Sequence, residues 1–92
     1  MSNIIPFVVK ITQDFSSKDA SFVAYSPEFD IASAGASKVE AKKNLVEAVS
    51  IVLEGAKVDG NLAELLEDAG FAEIDGKIEP KKVEIEELSV TI

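Results

Sequence analysis

The sequence holds no cysteine, no histidine and no arginine among its 92 residues. Without cysteine there is neither a disulfide framework nor a thiolate metal site, which fits a reducing compartment. Without histidine the commonest general base, the commonest metal ligand and the Ser-His and Cys-His nucleophile pairs are gone, and most familiar hydrolytic chemistry goes with them. Without arginine the bidentate fork that reads guanine or clamps phosphate is missing, so direct DNA reading is not expected. Apolar stretches end well short of the ~18 residues of a membrane span, and the N-terminus lacks a basic segment followed by an apolar signal core. A cytoplasmic protein is expected. Glycine-rich phosphate loops are also absent: Gly35, Gly55, Gly60, Gly70 and Gly76 stand singly, with no P-loop lysine pattern.

What is present is acid. Nine lysines face seventeen carboxylates, giving a formal charge of −8. That charge repels a phosphate backbone and attracts a basic protein, and it also serves solubility; the sequence leaves these two roles open. The length fits one domain, residues 1–92, with a core over 4–56 and a short helix and C-terminal strand over 61–92. Such a chain buries only about 60 to 65% of its unfolded surface, so core area borrowed from a second chain is a natural supplement.

Residues 7–15 place Phe7, Val9, Ile11 and Phe15 on one face against Lys10, Thr12 and Asp14, the pattern of a half-buried strand. Turn residues over 16–20 lead to a second strand over 21–26, in which Phe22 and Ala24 alternate with Val23 and Tyr25. Pro27 breaks that strand, and 31–35 is a third short run ending in Gly35. A three-stranded antiparallel meander follows.

Ser37-Lys38-Val39-Glu40 has the form of a capping box and predicts a helix from Lys38, with Ala41, Leu45, Ala48, Val49, Val52 and Ala56 at helical spacing and a stop near Gly55. Val46, Ile51 and Leu53 widen its apolar stripe, to be covered either by a second subunit or by the next helix. Asn61 caps that second helix, over 62–69, with Gly70 as its stop. Asp75-Gly76 is a turn signal. Residues 83–92 alternate Val83 and Ile85, then Leu88, Val90 and Ile92, against acids, with a phase slip at Glu86-Glu87 that implies a bulge. This C-terminal strand, shielded by its glutamates, closes the chain's own sheet or pairs with a second copy; Val90 and Ile92 join Val46, Ile51 and Leu53 as candidate oligomer contacts.

Candidate chemistry is thin. Glu84 and Glu86 share a face under simple alternation and could pair on a cation weakly, but a solvated strand edge that discourages aggregation is much the better account of them. Asp68 and Asp75 frame no calcium loop. No metal site, cofactor or catalytic residue is expected. Tyr25, Glu28, Phe29 and Asp30 are the candidate partner contacts, because Pro27 stiffens a turn that presents an aromatic beside two acids; an ordinary strand connection is the alternative.

The run from Phe22 to Gly35, followed by Glu40-Ala41, Asn44-Leu45, Glu47-Ala48-Val49 and Leu53-Glu54, resembles the HicB-like antitoxin family. That family shows an aromatic-Val-Ala strand, a Pro-Glu-Leu turn, a short strand ending in glycine, and a helix with Glu-Ala steps. Where its glycine is usually followed by Asp-Thr, this chain has Ala36-Ser37, so the cap is kept and the acid is lost. The resemblance covers about a third of the chain closely and implies an α+β, partial ribonuclease H-like β-β-β-α-β fold without the acidic metal site of the full enzyme. It further implies a homodimeric or tetrameric antitoxin that binds and blocks a small basic mRNA-cleaving toxin. Many such proteins carry a C-terminal DNA-binding segment, but from Asn61 onward acids outnumber Lys77, Lys81 and Lys82, so direct DNA binding is not expected. An orphan oligomeric interaction module of the same fold is the second reading, and an enzyme working through carboxylates alone is the third.

Overall fold

The computed structural model describes residues 4–16, 21–80, 84 and 86–92. In chain order the elements are β1 (Lys10–Gln13), β2 (Phe22–Ser26), β3 (Ile31–Gly35), α1 (Lys38–Asp59), α2 (Leu62–Asp68), β4 (Phe71–Ile74) and β5 (Lys77–Pro80). The architecture is α+β: an antiparallel meander in the order β1-β2-β3, one long helix, a short second helix and a separate β4-β5 hairpin.

Alternation in the meander sets its register. Ile11 pairs with Ala24, and Ala24 pairs with Ser33. Ala24 is fully buried beneath Ala41, Leu45 and Val49 of α1, with Phe7, Val9, Ile11, Phe22, Phe29, Ile31 and Leu53 packed around them. The helix lies close because the sheet beneath it is small-chained. A Cβ on Gly35 would sit 2.5 Å from the Ala41 amide nitrogen, so only glycine fits there. Asn44 fastens the same edge, its Nδ2 donating to the Ala34 carbonyl at 2.8 Å.

The first strand is shorter than the expected 7–15. Phe7, Val9 and Ile11 do face the core, but Phe15 is 87% exposed, which corrects its assignment to the buried face. The cause is local. Asp14 Oδ1 accepts hydrogen bonds from the Ser16 amide (2.9 Å) and hydroxyl (2.6 Å), and this side-chain turn bends the chain before Phe15 can continue the strand. The same bonds hold the Asp14 carboxyl below its ordinary value, the hydroxyl contributing most. The turn expected after it lies largely outside the described residues.

Helix α1 begins at Lys38, as its sequence predicts, with the Ser37 hydroxyl accepting the Glu40 amide at 3.1 Å. It does not stop near Gly55, which sits within the helix with open space around it. The stop is Gly60, at φ +79. There the Asn61 amide donates to the Ala56 carbonyl and the Gly60 amide to the Lys57 carbonyl, the paired bonds of a left-handed helix terminus. A single glycine costs a helix about 1 kcal/mol relative to alanine, and the continuing apolar line to buried Ala56 outweighs it. Asn61 does precede α2, but its side chain makes no capping bond.

Asp75 and Gly76, both at positive φ, form the two-residue turn of the β4-β5 hairpin. This hairpin is the strand pair that follows α2. In the segment 83–92, where the C-terminal strand is expected, Val83 and Ile85 lie outside the described residues, while Glu84 and 86–92 belong to no strand and so form no bulged ladder. Leu88, Val90 and Ile92 are fully exposed or nearly so.

Val39, Val46, Ile51, Val52 and Val58 of α1 and Leu88, Val90 and Ile92 beyond β5 leave large apolar side chains in solvent.

Candidate functional site

Phe29 joins the two halves of the molecule. The four-residue connection between β2 and β3 turns it inward, where its ring meets Phe7 edge-on (centroids 6.0 Å) and stacks on Phe71 of β4 (5.5 Å, 15° between planes). Glu28, beside it, accepts the Val8 amide through Oε2 at 2.8 Å, and the buried Ser26 hydroxyl donates to its Oε1 at 3.4 Å. Both side chains are half-buried and engaged within the chain. Tyr25 and Asp30 sit nearer the surface and hold each other: the phenol donates to the Asp30 carboxylate at 2.8 Å. That bond, helped by partial burial, pushes the Tyr25 hydroxyl above its ordinary value of 10.0. Asp30 has φ +53, a backbone state that aspartate tolerates better than most side chains. The four candidate contacts are thus brought together, but as two internal ties rather than four free groups.

A larger feature lies against the far side of Phe71. Between α2 and the β4-β5 hairpin runs a groove of about 560 Å³ with a floor of Leu62, Leu66, Phe71 and Ile78 and with Glu67 and Glu73 on its margins. Leu62 and Leu66 come from successive turns of α2, and Phe71 and Ile78 from the two strands of the hairpin. Glu67 and Glu73 are exposed, so their charges stand in water at the lip of an apolar trough. Such a trough accommodates an apolar side chain or two while its rim selects for positive charge. The sequence reading missed this site. Its trace in the sequence is the four-residue spacing of Leu62 and Leu66 and the aromatic that follows Gly70.

The candidate oligomer contacts do not form one surface. Leu53 packs half-buried against the core, Val46 is 52% exposed above the β1 side of the sheet, and Ile51, 72% exposed, points away from the sheet. Val90 and Ile92 are exposed on 86–92. Among the described residues no three acidic side chains converge in a way that could hold a metal ion, and no helix is long and apolar enough to cross a membrane. Comparison with protein-family models, curated proteins and solved structures gave no match.

Proposed function

We propose that this chain is a non-catalytic, antitoxin-like cytoplasmic protein that works as a homo-oligomer and neutralises a small basic mRNA-cleaving toxin by binding it. The observation that carries the reading is the apolar groove between α2 and the hairpin, with Glu67 and Glu73 at its lip, on a chain of net charge −8. A cationic protein is drawn to such a surface at a rate that falls with salt, and an amphipathic segment of it can seat apolar side chains on Leu66 and Ile78. An acidic protein held across a ribonuclease's cationic face competes with RNA for it. The resemblance of 22–54 to HicB-like antitoxins points the same way, and the excess of acids after Asn61 disfavours direct DNA binding.

The test is co-expression with a small basic ribonuclease toxin, sought first among reading frames adjoining this chain's own, read as recovery of growth and as a co-purifying complex. No complex and no rescue would sink the reading. The second reading, an oligomeric interaction module with no toxin partner, is favoured by the exposed apolar side chains Val46, Ile51, Leu88, Val90 and Ile92. A self-associating chain with no basic neighbour would support it.

A further inference from the structure

Helix α1 is wider than the sheet beneath it. Its buried line is Ala41, Leu45, Val49 and Ala56. At 100° per residue Asn44 and Ala48 flank that line on the β3 side, where Asn44 reaches the Ala34 carbonyl. Val39, Lys42 and Val46 flank it on the other side, beyond β1, and Val39 is 73% exposed and Val46 52%. Under this overhang runs a groove of about 270 Å³ lined by Ile5 and Pro6 of the segment before β1 and by Phe7, Val9, Lys42, Leu45 and Val46.

The sheet offers a free edge at the same place. Among the described residues β1 pairs only with β2. The amides of Val8 and Asp14 point toward the β2 side, to Glu28 and to the Ser21 carbonyl. By strand alternation the amides of Val9, Ile11 and Gln13 point outward and are available to another strand.

A strand of matching chemistry is present in the chain and unused. Residues 86–92 make no ladder, yet Glu86, Leu88, Val90 and Ile92 share one face under strand alternation, with Leu88 84% and Val90 87% exposed. That face is apolar with one carboxylate, and the overhang is apolar with one ammonium, Lys42, between Val39 and Val46. The larger groove beside α2 is the wrong acceptor, because Glu67 and Glu73 at its margins would meet Glu86 and Glu87.

We infer that residues 86–92 of one copy add to the outer edge of β1 in a second copy, with Leu88, Val90 and Ile92 covering the α1 overhang, and that the exchange is reciprocal in a two-fold dimer. Reciprocity doubles every contact and satisfies both β1 edges at once. The inference rests on the homo-oligomer part of the proposed function and names its geometry.

The chain has no cysteine, so introduced thiols report cleanly. The variant Val46→Cys/Val90→Cys alters two exposed positions. Isotope-labelled and unlabelled copies are mixed, unfolded and refolded together, oxidised, and digested for mass spectrometry, with light scattering on the unsubstituted chain. A dimer with a 46–90 disulfide joining labelled to unlabelled peptide is expected, with no such link from Ile74→Cys/Val90→Cys. Removing residues 88–92 should raise the dimer dissociation constant by about tenfold or more while leaving the far-ultraviolet spectrum folded. A 46–90 link confined to single copies would mean that the segment closes its own sheet, and would overturn the exchange. A dimer without that link would overturn the exchange yet leave the homo-oligomer standing, and a monomer would remove both.

Discussion

Glu28 and Val8, twenty positions apart, are tied by a carboxylate-to-amide hydrogen bond of 2.8 Å. The bond stands where the β1-β2 ladder would continue and fixes the approach of 4–9 to β1, which brings Phe7 against Phe29. An acid in the β2-β3 turn therefore acts as a structural clamp on the edge of the sheet. The bond is charge-assisted and part-buried, so Glu28→Ala should lower the unfolding free energy by about 1 to 2 kcal/mol in urea, with an unchanged denaturant slope. Unchanged stability would place Glu28 outside the fold's framework and return it to the surface as a partner contact.

Two glycines predict opposite results. Gly35→Ala drives a methyl group to 2.5 Å from the Ala41 nitrogen, where the obstacle is helix backbone, and should cost about 2 to 3 kcal/mol. Gly55→Ala meets nothing within 4 Å and should gain about 0.5 to 1 kcal/mol. Thermal melts of the two variants decide it; shifts in the same direction would contradict the placement of α1 on the sheet.

The Tyr25 hydroxyl is bonded to Asp30, and its folded-state value lies above 10.0. A group raised on folding contributes stability that is complete below the unfolded value and lost as pH rises through the folded one. The tie is therefore intact at neutral pH and is lost as the phenol ionises in alkali. Absorbance titration of the phenol should show Asp30→Asn ionising at lower pH than the unsubstituted chain. Coincident curves would mean that the bond does not form in solution.

Much of this fold is legible in the sequence where one local signal acts alone. Ile31 to Gly35 and the Ser37 cap stand where their residues put them, because a short run of small residues led by Ile31 and closed by Gly35, and a capping serine, have no rival nearby. Signals that compete mislead. Gly55 reads as a stop until the longer apolar period to Ala56 and the left-handed Gly60 override it, and Phe15 reads as core until Asp14 bonds Ser16. The groove was the least visible part, because four-residue strands carry too short an alternation and Phe71 acquires its meaning only from Phe29, far away in sequence. Of the candidate contacts, the sequence marked a structured turn but could not show that Glu28 faces inward to Val8.

The most direct test of the binding reading is affinity capture at moderate salt from the source cells, with the unsubstituted chain and a Glu67→Lys/Glu73→Lys variant compared in parallel. Both positions are exposed, so the variant should fold normally while its groove margin changes sign. The account predicts that one small, lysine- and arginine-rich ribonuclease elutes with the unsubstituted chain, is released as salt rises, and is lost from the variant. Capture of the bait alone, or of the same protein equally by both, would contradict it.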